Sequence, residues 1–189
     1  VELTVQGVND APAADDDAFD VAEDDGAAAL DVLGNDSDPE GGSLTVVSID
    51  AAGTVGEVTL VDGVLSYGPG TGFNALASGA EAFDTFTYVV ADAGGATDTA
   101  TVTVRVIGAN DGPRTEQGTV RVDENSGEQA VDLNSFAIDP DGDTLTFGSL
   151  QVLEASSELP VSLTLQANGT LQVDTDNITG LPAATTLEL

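Results

Sequence analysis

Shifting the sequence along itself by 101 residues brings Gly7-Val8-Asn9-Asp10-Ala11-Pro12 onto Gly108-Ala109-Asn110-Asp111-Gly112-Pro113. The register then holds without a gap. Val21, Glu23, Gly26, Ala29 and Asp31 fall on Val122, Glu124, Gly127, Ala130 and Asp132, and Asp38-Pro39-Glu40-Gly41 falls on Asp139-Pro140-Asp141-Gly142. A chain that repeats at this length folds as like units in tandem, each burying its own apolar face. The same shift lays Val1, Leu3 and Val5 on Val102, Val104 and Val106. Residues 1–7 therefore read as the last strand of a preceding repeat, 8–107 as a complete repeat and 108–189 as a second, C-terminally incomplete one. After Gln151 the register drifts, since Asp62-Gly63 meets Asn168-Gly169 only at a shift of 106. With no Met and no signal-like start, the chain reads as a window of a longer array.

Within the repeat the apolar residues alternate. Residues 99–106 read Thr-Ala-Thr-Val-Thr-Val-Arg-Val, which puts Val102, Val104 and Val106 on one face and Thr101, Thr103 and Arg105 on the other. Comparable runs predict strands at 18–23, 28–33, 43–49, 57–61, 85–90, 161–165 and 170–173, separated by the turn signals Asp62-Gly63, Gly94-Gly95 and Asn168-Gly169. Helical periodicity is missing, so many short strands predict an all-β chain of tandem Ig-like β-sandwiches. With 41% hydrophobic residues the chain has the material for a core, unlike a disordered acidic tail.

Charge narrows the chemistry. Three Arg (Arg105, Arg114, Arg121) and no Lys stand against 34 acidic residues, for a net charge of −31. Such a chain repels phosphate backbones and anionic headgroups, which excludes nucleic-acid and membrane-surface binding. No apolar run of about 18 residues occurs, so membrane insertion is not expected. With neither His nor Cys there is no imidazole base, no thiolate zinc site and no triad nucleophile, and the chain is not expected to be an enzyme. Cations are the natural partners. Calcium takes about six to eight oxygen ligands in flexible geometry, which suits short Asp and Asn side chains on loops. Asp outnumbers Glu by 23 to 11, and many Asp lie in turns, as in Asn35-Asp36-Ser37-Asp38-Pro39-Glu40-Gly41 and Asp139-Pro140-Asp141-Gly142-Asp143. Both stretches are also good plain turns, because Asp caps its own backbone and Pro presets φ, so ligand and turn remain alternatives at this point. The run Asp15-Asp16-Asp17 reads as solvated surface.

Several motifs together carry a family resemblance. Gly-Val-Asn-Asp-Ala-Pro, the acidic run, Val21-Ala-Glu-Asp24, the stretch from Asp31 through Asn35-Asp36-Ser37-Asp38-Pro39 to Thr45, Tyr67-Gly-Pro69 and Asp84-Thr-Phe-Thr-Tyr-Val-Val-Ala-Asp92 resemble the bacterial cadherin-like, tandem-95 or VCBS-type repeat of large secreted or surface adhesins. Val122-Asp-Glu-Asn-Ser-Gly127 and Ala137-Ile-Asp-Pro-Asp-Gly-Asp143 resemble cadherin repeats in particular. The resemblance implies calcium at the junctions of neighbouring repeats. One junction would use Glu23, Asn110, Asp111, Asp139 and Asp141, with Asp143 as an extra ligand. The preceding one would use Asn9, Asp10, Asp36, Asp38 and Asp92, with Glu40 as an extra.

It further implies an extracellular calcium-binding repeat of an adhesin stalk, stiffened by Ca2+ for cell adhesion or biofilm attachment. Cell-surface or matrix ligands would be engaged through other domains. The alternatives are a carbohydrate- or protein-binding sandwich, disfavoured by the absence of Trp, and an acidic spacer of a secreted hydrolase.

Overall fold

The computed structural model describes residues 1–120, 127–149, 162–174 and 187–188. Glu124 and most of its motif, Val161 and Leu189 lie outside these residues. The chain divides into two units, Val1–Asn110 and Asp111–Leu189.

Unit 1 contains seven strands: β1 (Asp17–Ala22), β2 (Ala28–Ala29), β3 (Thr45–Asp50), β4 (Glu57–Val61), β5 (Val64–Gly68), β6 (Glu81–Ala91) and β7 (Thr97–Ile107). They form one sheet in the order β1-β7-β6-β3 and a second in the order β2-β5-β4. The period-two pattern of β7 buries Val102, Val104 and Val106 completely, and β6 adds Phe86, Tyr88 and Val90 from the same face. Val32, Leu65 and Tyr67 close the core from the other sheet, with the Tyr67 and Phe86 rings stacked at 6.2 Å. The sandwich is therefore sealed by apolar burial at the centre of both sheets. β1 runs parallel to β7 from Asp17↔Val102 to Ala22↔Ile107, and on the outer face Arg105 pairs with Asp20 and Glu81.

The strand expected over 28–33 forms only at Ala28–Ala29, and the chain turns before Val32 enters the core. β5 was not among the expected strands. Its five residues, Val-Leu-Ser-Tyr-Gly, are short and run into Pro69, yet the Asp62-Gly63 turn folds them back on β4, with φ of +51° at Asp62 and +78° at Gly63.

One carboxylate is built into the core. Asp84, 3% exposed, accepts the N–H groups of Val55 and Gly56 and the Tyr67 hydroxyl at 2.8 to 3.1 Å. These donors replace the water it gave up on burial.

Unit 2 contains β8 (Arg114–Thr115), β9 (Thr119–Val120), β10 (Glu128–Asp132), a 3-10 turn (Leu133–Phe136), β11 (Ala137–Ile138), β12 (Ser162–Leu165), β13 (Thr170–Asp174) and β14 (Leu187–Glu188). β10, β13 and β12 form a sheet, while β8 pairs with β11 and β9 with β14. Val131, Leu171 and Val173 are buried, with Val120, Leu133 and Phe136 against them.

The repeat is visible in the pairing. The Ala13↔Ser37 bridge of unit 1 returns 101 residues later as Arg114↔Ile138. Ala28↔Tyr67 returns as Gln129↔Val173, a shift of 101 on one strand and 106 on the other. Val58↔Tyr67 returns as Leu163↔Val173, shifts of 105 and 106, so four of the extra five residues enter between β11 and β12 and the fifth in the β12–β13 turn.

Candidate metal centre

In unit 2 the chain leaves β11 through Asp139-Pro140-Asp141-Gly142-Asp143. Asp139 Oδ1 accepts the N–H groups of Asp141 at 3.1 Å and Asp143 at 3.2 Å, while Gly142 donates to the Asp139 carbonyl at 3.1 Å. This Asx-type curl needs a left-handed residue, supplied by Gly142 at φ +76°. Its consequence is that one carboxylate oxygen from each of Asp139, Asp141 and Asp143 lies within 4.8 Å of the others. Asp141 Oδ2 accepts the Asp111 N–H at 2.8 Å, and Asp141 Oδ1 is buried with no hydrogen-bond partner. Converging carboxylates with an orphaned buried oxygen fit a hard, oxygen-ligated cation such as calcium.

Unit 1 carries the same curl. Asp38 Oδ1 accepts the Gly42 N–H at 2.7 Å, Gly41 donates to the Asp38 carbonyl at 3.0 Å with φ +72°, and the Asp10 N–H reaches Glu40 Oε2 at 3.3 Å. Every bond matches its unit-2 equivalent, but Glu40 and Gly42 stand where unit 2 has Asp141 and Asp143. Among the described residues no three acids within unit 1 converge in this way.

The other unit-1 candidates hydrogen-bond within the fold. Asn9 donates to Asp92 Oδ2 at 2.7 Å and rests on bare Gly94, where a Cβ would collide with its amide. Asp92 Oδ1 accepts the Ala96 N–H across the β6–β7 turn. Asn9, aided by the turn's N–H groups, holds the Asp92 carboxyl below the usual carboxylate range. Asp36 is drawn elsewhere: its Oδ1 accepts the Asp15 N–H at 2.9 Å and its Oδ2 faces the Tyr88 hydroxyl at 2.9 Å. The structure thus joins Asn9 with Asp92 and Asp10 with Glu40, and ties Asp36 to the segment before β1 and to β6.

Glu23 follows β1 directly. Its N–H donates to the Ile107 carbonyl at 3.0 Å, and its Oε1 accepts the Ala109 N–H at 2.6 Å. The side chain is 1% exposed, and Oε2 is buried without a hydrogen-bond partner. A glutamate held against the backbone two residues before Asp111 was legible only through the family resemblance, since alternation along β1 says nothing of the residue after it.

Sequence reasoning missed Asp17, assigned to solvated surface. The structure half-buries it on β1, where burial raises its carboxyl, the Tyr88 hydroxyl opposes the rise, and Asp36 reinforces it. Tyr88 itself is pushed up by burial and then by Asp36. No sequence signal joins residues 17, 36 and 88, because only the sandwich brings their three elements together.

Residues 9–105, half of the chain, match the family described as bacterial Ig domain. The chain belongs to that family. It is similar to the human desmocollin-1 ectodomain, at 17% identity over 96% of this chain with a TM-score of 0.45, and to Drosophila N-cadherin EC1-4, at 14% over 85% with a TM-score of 0.48. The chain spans 34% and 39% of those two structures. No curated protein matches it. The bacterial Ig domain fold assigned here is an Ig-like β-sandwich, and among the described residues no helix is long and apolar enough to cross a membrane.

Proposed function

We propose that this bacterial Ig domain chain is a calcium-binding structural repeat of an extracellular adhesin stalk, in which Ca2+ at the acidic loops stiffens the array. The observation that carries the proposal is the convergence of Asp139, Asp141 and Asp143 around the orphaned, buried Asp141 Oδ1. Three like charges at such distances repel in a partly desolvated loop, and Asp139 already gives one oxygen to two backbone N–H groups. When bound, calcium supplies the positive charge that turns this repulsion into a cross-link. The Asp111 N–H bond to Asp141 ties the start of unit 2 to the loop, so stiffening the loop also stiffens the entry of the chain. In this function Glu23, Asn110 and Asp111 join Asp139 and Asp141 as ligands of the junction, and Asn9, Asp10, Asp36, Asp38 and Asp92 belong to the preceding one.

Isothermal titration with calcium after exhaustive chelation tests the proposal. The expected affinity is that of extracellular modules, on the order of 10⁻⁴ to 10⁻³ M. The double variant Asp139→Ala, Asp141→Ala should remove the tightest site and leave unit 1 folded. Absence of heat, together with an unchanged melting temperature at millimolar calcium, would falsify it.

A further inference from the structure

The two acidic loops share their internal hydrogen bonds but differ in what ties them to the sandwich. In unit 1 the residue entering the loop is Asp36, whose two oxygens reach the Asp15 N–H and the Tyr88 hydroxyl. Tyr88 is 0% exposed in the middle of β6, and its hydroxyl also lies 2.7 Å from the Val32 carbonyl, so its single proton is shared between two acceptors. Asn35 adds bonds to the carbonyls of Asp15 and Asp16 at 3.2 and 3.1 Å. The loop is therefore fastened on one side to the segment just before β1 and on the other to the centre of the core. Unit 2 has Ala137 at the position of Asp36 and Phe136 at that of Asn35, and neither side chain can make such a bond. In its place the loop gathers three carboxylates, where unit 1 has Asp38, Glu40 and the side-chain-free Gly42.

We propose that Tyr88, acting through Asp36, is a positioning residue that fixes the acidic loop of unit 1 without a cation, whereas the equivalent loop of unit 2, lacking this anchor, takes its fixed shape only with a cation bound. The unit-2 half rests on the calcium function proposed above; the anchor half stands without it. A stalk repeat built this way holds one loop permanently and responds to calcium at the other. The physical basis is that a hydrogen bond to a buried hydroxyl is strong and local, while mutual repulsion of carboxylates is relieved only by a counter-charge.

Hydrogen exchange of the full chain, in chelator and in about 10 mM calcium chloride as the probe, about tenfold above the weakest expected dissociation constant, reads both halves at once. The reporters are the bonded amides of Ser37, Gly41 and Gly42 in unit 1 and of Asp141, Gly142 and Asp143 in unit 2. In chelator the first set should be protected, and calcium should change it less than about twofold while slowing the second set at least about tenfold. Tyr88→Phe should speed the first set about tenfold and leave the second unchanged. Tyr67→Phe, which removes a buried hydroxyl from Asp84 instead, controls for general loss of stability and should leave the first set protected. Equal responses of both loops to calcium overturn the proposal while leaving the calcium function standing. Unchanged exchange at 37–42 in Tyr88→Phe, or the same release in Tyr67→Phe, overturns the anchor. No calcium heat and no change at 141–143 overturn the calcium function and the unit-2 half, while release by Tyr88→Phe in chelator upholds the anchor.

Discussion

The loops at 38–42 and 139–143 are one backbone with two chemistries. Both curl around an Asp whose Oδ1 caps a following N–H, both place a glycine in the left-handed region, and both accept the N–H of the linker Asp at the following acidic residue. Both Asp-Pro-x-Gly copies share this curl, and the side chains at the third and fifth positions decide whether three carboxylates come together in it. Both copies form the turn, and the copy with Asp at both positions also brings three carboxylates together.

The cores differ in the same direction. The buried set of unit 1 runs from Val32 to Val106 across two sheets, whereas the described buried set of unit 2 is Val131, Leu171 and Val173. Phe86→Ala removes half of the Tyr67 stack and should cost unit 1 about 3–5 kcal/mol. In urea, followed by exchange at residues resolved by unit, its transition should move below that of unit 2. If the unit-1 transition does not move, the assignment of the core is wrong.

A smaller effect separates the two buried-polar solutions. Asp84→Asn turns an acceptor of several donors into a group with its own N–H pointed at them, and should destabilise unit 1 by about 1–3 kcal/mol without touching calcium binding. A thermal melt with parallel titration checks both parts; loss of calcium heat would show that the loop and the core are not independent.

Grafting sharpens the loop comparison itself. Glu40→Asp with Gly42→Asp gives unit 1 the acid set of unit 2. Gly42 is not held in the left-handed region, and a Cβ there would lie 3.2 Å from Asp38 Oδ1, a side-chain contact that can adjust. The graft should strengthen calcium binding at unit 1 about tenfold, or about 1.4 kcal/mol, in titrations made in the Asp139→Ala, Asp141→Ala background. An unchanged isotherm would mean that the acid count does not set affinity.

The smallest expected effect is the pH dependence of unit 1. The Arg105 guanidinium holds Asp20 below its ordinary value of 3.8, and the N–H groups of Ala14 and Thr99 do the same for Asp98. Their folded-state values lie below the unfolded ones, so their contribution is complete above the ordinary carboxylate value and is lost as pH falls through the folded values. Asp17, raised chiefly by burial, has the opposite sign: its penalty at neutral pH is relieved on acidification. Asp98→Asn should therefore flatten the fall in melting temperature below about pH 4, and Asp17→Asn should raise the melting temperature at pH 7. A steeper acid fall in Asp98→Asn would contradict the assignment.

The sequence by itself determined the all-β class, the repeat and its two shifts, the alternation that buries Val102, Val104 and Val106, and the three hairpin turns at Asp62-Gly63, Gly94-Gly95 and Asn168-Gly169. Those features are local: a period of two, or a Gly where φ must be positive, is written in neighbouring residues. It also marked the loops rich in Asp, because their composition is local too. Only the tertiary structure decided which of those acids meet. Asp36 reads as a ligand beside Asp38, and the fold brings it to Tyr88, 52 residues away, and to the Asp15 N–H just before β1. Asp17 reads as surface until β7 pairs with its strand. Glu23 becomes a buried carboxylate because its strand ends where β7 ends, against Ala109. In each case a side chain's role is set by the partner that sheet pairing delivers, and that partner lies too far along the chain for spacing to reveal it.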